Sequence, residues 1–484
     1  MTSTWLITPV VYTQTGCNFQ GAKWVLGGTM ATREEPYQAS SLSYHICTIA
    51  PEKFMRSPLL DKILTWTGRF FKIDTHYLMR GTFWSAISQI VITLSALALS
   101  MVLSRYLPKE MYGEYKYVLS LVSILSIFTL SGLGISVLQS AARGFDSALI
   151  EGFRISLRWS ITVWIGALGI ASYYLWHDNY RLGLGILIGG SLSPFIAATG
   201  LASSFLVAKK NFRVLAFRGS IPSTFIPAMA LIVTALLTDN PLAFVAVYFV
   251  ANAATYSYLF WYTLRIYHPD ETRKDSGMLS YAKHLSFMGV LGGLANNLDQ
   301  ILLFQYVGPA QLAIYNFAIG IPDQLKGPLK QLDGMLQARF ANHLPQNIRD
   351  NMRSKSLLLL AFGVACSVVY IPLAPHLFGL LFPNYMEAVP YSQLYVFHLL
   401  TLPFAPSGSY LSAKRLIREQ YINTALSHAL RIIFIAIGII GWGLWGIVVA
   451  VIAARFVGGL TSYILYRIAS KRDRGILFVD ESGK

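Results

Sequence analysis

The chain has 484 residues, of which 54% are hydrophobic and 13% charged, and its formal net charge is +16. A soluble domain carries about 25% charged residues, and a soluble protein could not bury so much apolar surface. The basic residues lie between long apolar runs, so membrane topology explains the positive charge and no nucleic-acid partner is expected. The composition predicts an all-α polytopic membrane protein.

No motif for a metal or a cofactor is present in the sequence. Its three cysteines, Cys17, Cys47 and Cys366, have no metal-ligand spacing and form no disulfide framework. No Gly-rich phosphate loop is present, so ATP is not expected to be the direct energy source. We therefore expect no metal and no cofactor.

Apolar runs of about 20 residues, enough to cross a bilayer, recur about twelve times along the chain. In chain order the predicted spans are 82–104, 115–142, 157–176, 182–208, 219–237, 242–264, 285–307, 312–336, 356–376, 388–412, 422–441 and 444–466. The connections on one side are bare turns, such as Thr238 to Pro241 and Gly308 to Gln311. No extramembrane domain is expected to hold a soluble active site.

Lysine and arginine concentrate in alternate connections. The rich connections lie within 143–158, 209–218, 265–283, 339–355, 414–418 and 467–474, whereas the opposite ones hold Arg105, Lys109, Lys116, Arg181 and little else. Positively charged loops stay in the cytoplasm. This alternation predicts a multi-pass cell-membrane protein with both termini cytoplasmic.

The N-terminal region differs from the rest of the chain. Residues 1–54 have no clear period and no secretory signal, which predicts a non-functional or disordered extension; a genuine unstructured tail is the alternative. Over 55–78, apolar residues recur at helical spacing with basic residues elsewhere around the axis. That pattern predicts an interfacial amphipathic helix.

A faint internal repeat divides the remainder. Tyr106 and Tyr115 flank the first connection with the same separation as Tyr306 and Tyr315 at the seventh. Chance in an aromatic-rich chain is the alternative explanation. A true repeat predicts two six-helix lobes around a central cavity that holds the substrate site. The predicted segments are a first lobe at 79–265, a cytoplasmic linker at 266–284, a second lobe at 285–470 and a cytoplasmic tail at 471–484.

Two stretches resemble a known family. Residues 104–115 (SRYLPKEMYGEY), followed by an apolar helix ending in Ser131 to Gly134, resemble the first hairpin of polysaccharide and O-antigen flippases. Residues 298–303 (LDQILL), with Tyr306 to Gly308 and Tyr315 to Ala318, resemble the matching segment of the second half. One departure is Gln300, where the family often has arginine. These flippases belong to the multidrug/oligosaccharidyl-lipid/polysaccharide exporter superfamily.

The resemblance implies a V-shaped pair of lobes that works by alternating access. The implied substrate is an oligosaccharide on a polyprenyl diphosphate, moved from the inner to the outer leaflet for cell-surface polysaccharide biosynthesis. Membrane lipids, H⁺ or Na⁺ as a coupling ion, and glycan assembly enzymes are the expected partners.

Charged groups inside spans are costly and are therefore functional candidates. In the eighth span a polar stripe repeats at helical spacing and occupies one face; its members are Asp323, Lys326, Lys330, Asp333 and Gln337. One hypothesis makes this stripe a cavity wall where Lys326 and Lys330 attract a diphosphate. The alternative is that the aspartates and lysines neutralise each other structurally.

Two arginines lie inside the last two spans. Arg431 shares a helical face with Asn423 and Ser427, and Arg455 lies near the middle of its span. Arginine cannot shed its charge, so each is expected to bind an anion in the cavity or to pair with Asp299. Snorkelling is the alternative for Arg431.

The first lobe and the seventh span supply the remaining candidates. Arg105 is a substrate-binding candidate, or a cap at the outer end of its helix. Asp299 is expected to bind a coupling ion or to form a salt bridge to an arginine. The predicted polar lining of the cavity consists of Gln89, Asn296, Asn297, Gln300 and Asn423.

Three functions compete on this evidence. A flippase is favoured. An ion-coupled multidrug or cation extruder of the same superfamily is disfavoured because cavity cations repel cationic drugs. A membrane-embedded glycan polymerase or glycosyltransferase is disfavoured because such an enzyme needs a catalytic domain or a large outer loop.

The alternating charges predict the topology directly. Reporter fusions at Asp239 and Arg273 should report opposite sides of the membrane, because a single span separates their connections. Signals from the same side would contradict the twelve-span arrangement.

Overall fold

The computed structural model describes residues 75–270, 272–325, 345–413 and 416–481, which all lie within a compact unit spanning residues 74–484. The predicted extension 1–54 and most of the predicted interfacial helix 55–78 lie outside the described residues. So do residues 326–344, which include most of the polar stripe of the eighth span.

The first half of the described chain is helical throughout. Its helices are α1 (Thr75–Tyr106), α2 (Lys109–Ser126), α3 (Leu133–Ala142), α4 (Ala148–Trp159), α5 (Ile161–Trp176), α6 (Tyr180–Ala208), α7 (Phe212–Val214), α8 (Pro222–Leu237) and α9 (Pro241–Tyr267). A 3₁₀ turn at Ile127–Thr129 follows α2, and a π-helical segment at Leu215–Ser220 precedes α8.

The second half is also helical wherever it is described. Its helices are α10 (Met278–Tyr306), α11 (Pro309–Gln324), α12 (Pro345–Leu381), α13 (Val389–Tyr395), α14 (Ala405–Ala413) and α15 (Ile417–Glu481). Two 3₁₀ segments, Pro383–Ala388 and Val396–Phe404, flank α13. The predicted all-α membrane fold is confirmed.

The number of membrane crossings is less fully determined. Among the described residues, eight helices are long and apolar enough to cross a bilayer, and the count rises to nine if the bent pair of α2 and α3 forms one span. The predicted total of twelve is therefore not confirmed by this count. One of the eight, Arg418–Ser470 within α15, contains both of the last two predicted spans.

Helix α15 reverses direction at Gly443, whose backbone has φ 56° and ψ −126°. On either side of this point, Gly438 and Gly446 meet backbone to backbone, since a Cβ on Gly446 would lie 1.8 Å from the Gly438 carbonyl oxygen. Further along, a Cβ on Gly458 would lie 3.0 Å from the Ser427 hydroxyl. The two arms are therefore antiparallel, as two separate spans would be.

Turn chemistry explains why several helices begin where they do. The side chains of Asn179, Asn211 and Asn240 accept hydrogen bonds from the first-turn amides of α6, α7 and α9. Proline occupies the first position of α8, α9 and α11, where no backbone donor is needed.

The two pairs of tyrosines on which the predicted repeat rests can be compared by helix boundary and by burial. Helix α1 ends at Tyr106 and α10 ends at Tyr306, and both side chains are exposed. Tyr115 and Tyr315, which lie in the following helices, are both buried. The equivalent tyrosines therefore occupy equivalent environments in the two halves.

Helix α2 joins the two halves. It packs along α10 and α11, and a Cβ on Gly113 would lie 2.0 Å from the backbone oxygen of Pro309. One hydrophobic core accordingly includes buried residues from both halves, such as Tyr115, Phe244, Tyr315 and Phe378.

Helix α3 follows the bend after α2 and extends the surface on which the two halves meet, which we call the seam. The hydroxyl of Ser136 donates to the Met278 carbonyl at 2.7 Å, and Ser140 donates to Asp275 at 2.6 Å. Arg143 forms an ion pair with the same aspartate at 2.5 Å. The two halves are thus bonded to each other at both ends of the seam.

The glycine contact of the α15 hairpin predicts a stability effect. Gly446→Ala should lower the free energy of unfolding by about 1–3 kcal/mol, because the new methyl group overlaps the opposite backbone. Thermal unfolding of the purified protein measures the change. Gly441→Ala is the matched control in the same hairpin, since a Cβ there meets nothing within 4 Å. Equal melting temperatures for the two variants would contradict the close packing.

Candidate functional site

Two arginine–aspartate pairs lie inside the membrane-spanning part of the second half. Helix α10 supplies Asp299, α11 supplies Asp323, and the two arms of α15 supply Arg431 and Arg455. Each pair joins residues that are more than 130 positions apart in the chain. The cluster exists only because these three helices pack together.

The first pair is the more buried one. A guanidinium nitrogen of Arg431 lies 3.6 Å from Asp299 Oδ2, and the two side chains are 15% and 4% exposed. Asp299 also accepts hydrogen bonds from the Tyr315 hydroxyl at 2.6 Å and from the backbone amide of Gln300 at 3.0 Å. Arg431 donates to the Asn296 side chain at 2.6 Å. The carboxylate is therefore paired and hydrogen-bonded, as a buried charge must be.

The second pair is more open. Arg455 donates to Asp323 Oδ1 at 3.2 Å, and the side chains are 27% and 39% exposed. The Tyr395 hydroxyl donates to the same carboxylate at 3.1 Å, and the Arg455 guanidinium lies 5.1 Å from the Tyr395 ring centroid. The buried His398 ring lies 3.5 Å from Asp323. This pair presents both signs of charge to its surroundings.

The structure brings some predicted residues together. Two groups of predicted residues are in contact. The first contains Asp299, Arg431 and Asn296, and the second contains Asp323 and Arg455. The salt bridge proposed for Asp299 is present with Arg431, and Asp323 has a charged partner in Arg455. Lys326 and Lys330 lie outside the described residues, so their predicted role stays a prediction.

Other predicted residues lie elsewhere. Gln89 and Asn297 hydrogen-bond within their own helices, to Thr93 and to the Gly293 carbonyl. Arg105 donates to the Leu380 carbonyl at 2.9 Å, at the end of α1 and away from the charged cluster. It links the two halves there.

Gln300 has a different contact from that of its neighbour Asp299. Its side-chain oxygen accepts a hydrogen bond from Ser120 of α2 at 2.9 Å. The position where the family often has arginine is therefore a neutral contact between the halves. Asp299 of the charged cluster and Gln300 of the seam between the halves are therefore consecutive residues of α10.

One face of the first arm of α15 carries buried polar atoms. Asn423 Oδ1, Ser427 Oγ and Arg431 Nε have no hydrogen-bond partner among the described residues. The shared face predicted for these residues is consistent with this pattern, because all three recur at intervals of four. Such atoms are costly in an apolar setting.

Sequence reasoning missed several members of the site. Tyr315 was noted only as a marker of the repeat, and Tyr395 and His398 gave no charge signal. Tyr395 and His398 are three residues apart, at a helical spacing that could have pointed to a shared face. Their partnership with Asp323 depends on packing between helices.

Comparisons with known proteins agree with this architecture. The family model described as "Polysaccharide biosynthesis protein" matches residues 78–322, about half of the chain. No curated protein matches the sequence closely enough to be a relative.

Solved structures share the fold. An inward-facing multidrug resistance MATE family transporter of the MOP superfamily is similar, with a TM-score of 0.64 and 13% identity over 80% of this chain and 98% of that chain. A MATE crystal structure in complex with MaD3S has a TM-score of 0.62 and 14% identity, covering 82% of this chain and 96% of that chain.

A third similar structure is a MOP superfamily transporter from Pyrococcus furiosus, with a TM-score of 0.60 and 12% identity over 82% of this chain and 95% of that chain. Its description states that the reverse polarity of its binding pocket suggests a different function. At these identities the three likenesses establish a transporter fold.

The buried pair predicts a non-additive stability effect. Asp299→Asn should destabilise the protein by about 3–5 kcal/mol, because Arg431 keeps its charge without the opposite charge of its partner. The double variant Asp299→Asn/Arg431→Gln should recover part of that loss, measured by thermal unfolding. Glu387→Gln is the control, since its exposed pair with Lys109 contributes about 0–1 kcal/mol. Strictly additive effects at Asp299 and Arg431 would argue against a coupled pair.

Proposed function

The chain belongs to the polysaccharide biosynthesis protein family, and we propose that it exports a lipid-linked oligosaccharide across the cell membrane. The substrate is a glycan on a polyprenyl diphosphate, moved from the inner to the outer leaflet by alternating access. Both termini are cytoplasmic in this proposal, as the distribution of lysine and arginine predicts.

The observation that supports this proposal is the partly exposed pair of Arg455 and Asp323 inside the membrane-spanning region. A partly exposed ion pair at that depth requires a polar environment rather than lipid. A large polar glycan and its diphosphate supply such an environment, and a guanidinium binds phosphate oxygens in the same forked geometry as a carboxylate. The diphosphate can therefore replace Asp323 as the partner of Arg455.

Alternating access requires contacts that open and close. At the predicted outer end the two halves meet through the Lys109–Glu387 ion pair at 2.6 Å and the Asn384 amide, which donates to the Ser104 carbonyl at 3.1 Å. These contacts are exposed or lie at helix ends, where breaking them costs little. An outward-open state would have to break them.

Asp299 is the proposed coupling residue. Release of Arg431 toward the substrate would leave the Asp299 carboxylate unpaired, and uptake of H⁺ or Na⁺ would then neutralise it. The tyrosine hydroxyl of Tyr315 remains as a hydrogen-bond donor in either state. Coupling in this proposal therefore follows from partner exchange within the cluster.

A cation extruder remains the second candidate, and one observation favours it. Asp323 is 39% exposed and offers a carboxylate to a cationic drug. The Arg455 charge lies beside it at 3.2 Å and opposes that binding. The two candidates therefore differ in which member of the pair contacts the substrate.

The role of Arg455 can be tested by export in cells. Arg455→Ala should reduce export of the glycan roughly ten- to a hundredfold, because a charge-assisted hydrogen bond contributes about 1.5–3 kcal/mol. Arg455→Lys should retain more export than Arg455→Glu. Surface glycan is measured together with the amount of protein in the membrane, and Arg265→Ala, which removes an exposed guanidinium stacked on Trp261, is the control.

A charge swap separates binding from structure. In Arg455→Asp/Asp323→Arg the ion pair is preserved with its ends exchanged. Restored export in the swap would show that the pair is only structural. Normal export by Arg455→Glu, or drug resistance that depends on Asp323, would favour the cation extruder instead.

A further inference from the structure

Lys116 of α2 is held between aromatic rings. Its ammonium nitrogen lies 5.5 Å from the ring centroid of Tyr112 and 5.9 Å from that of Tyr115. Both tyrosines are buried, and the ring of Tyr248 from α9 lies 6.2 Å from the ring of Tyr115. The negative faces of aromatic rings attract a cation, so the two rings contribute a favourable contact with the ammonium group.

No carboxylate of the described residues matches the charge of Lys116. Within the described ranges, no aspartate or glutamate oxygen lies within 4.0 Å of its nitrogen. Glu114 is two residues away, which places it on the opposite side of the helix, and it interacts electrostatically with Arg181. By contrast, Arg431 and Arg455 each have an aspartate partner.

Lys116 also lies between two contacts that join the halves. Tyr112, Lys116 and Ser120 recur every four residues and share one face of α2. One turn before the lysine, Tyr112 packs on Phe317 of α11 at a centroid distance of 4.9 Å. One turn after it, Ser120 donates to Gln300 of α10. The lysine is therefore on the side of the first half that faces the second.

A small cavity lies against the same ring. It has a volume of about 60 Å³ and is lined by Tyr112 together with residues of α1 and α11, including Ser100, Asn316 and Gln324. Its walls come from both halves, so separation of the halves would enlarge it. Ser100, Asn316 and Gln324 place polar groups in a lining that is otherwise mainly apolar.

We propose that Lys116, held between Tyr112 and Tyr115, binds the diphosphate group of the transported lipid on the first half of the protein. This inference rests on the proposed function and adds a site within it. A guanidinium that already contacts a carboxylate must exchange partners before it can bind phosphate, whereas Lys116 needs no exchange. An ammonium group offers three donors as a compact charge, which suits phosphate oxygens approaching from several directions.

Binding of geranyl diphosphate to the purified full-length protein tests the site. Lys116→Gln should raise the dissociation constant for geranyl diphosphate tenfold or more. The dissociation constant of Lys116→Arg should stay within about threefold of the wild-type value. Geraniol, which lacks the phosphates, should bind all variants equally. Inorganic diphosphate should displace geranyl diphosphate from the wild type, which shows that the headgroup rather than the chain is recognised.

Lys209→Gln is a matched control. Lys209 belongs to the same half and lies 5.4 Å from the Phe205 ring, but its charge is already paired with Asp146. Its removal should leave geranyl diphosphate affinity unchanged. An equal loss in Lys209→Gln and Lys116→Gln would show that total charge, rather than the site, determines binding and would overturn the proposal.

The remaining outcomes are equally decisive. Wild-type affinity in Lys116→Gln overturns the site, and so does an equal loss in Lys116→Arg and Lys116→Gln. If either result occurs while cells still export the glycan, the proposed function stands and only this site fails. A wild-type protein that exports no lipid-linked glycan overturns the proposed function itself, whatever it binds.

Discussion

Charges placed inside a membrane must be neutralised or solvated, and this constraint organises the second half of the protein. Two aspartates and two arginines lie on three helices, and each arginine contacts one aspartate. An unpaired charge at such depth costs several kcal/mol, so α10, α11 and the arms of α15 are held in one arrangement. A rearrangement within the cluster would be transmitted to all three helices.

The cluster is adjacent to the surface on which the two halves meet. Asp299 contacts Arg431 within the second half, while the next residue, Gln300, accepts a hydrogen bond from Ser120 of the first half. One turn of α10 therefore carries both the charge partner and the contact between halves. Because adjacent residues of a helix turn together, a change in the pairing of Asp299 would also move Gln300 and its hydrogen bond to Ser120.

The two halves share a backbone plan but not a charge plan. Helices break at equivalent tyrosines, Tyr106 and Tyr306, and bury equivalent ones, Tyr115 and Tyr315. The residue two hundred positions before Asp299 is Leu99, and the residue two hundred positions after Lys116 is Asn316. The described part of the second half thus presents a paired cluster, whereas the first presents Lys116 beside two tyrosines, so the halves can contact one substrate differently.

The membrane class, the helical architecture and the family could all be predicted from the sequence, because apolar runs and short motifs are local properties. It also identified Asp299, Arg431 and Arg455, since a charge inside an apolar run is visible without a fold. It could not determine that Arg455 contacts Asp323 across 132 residues, or that Lys116, assigned to an outer connection, is caged by tyrosines within α2. These pairings come from the packed helices, because the partner of a buried charge depends on which helix faces it, and that is a property of packing rather than of spacing.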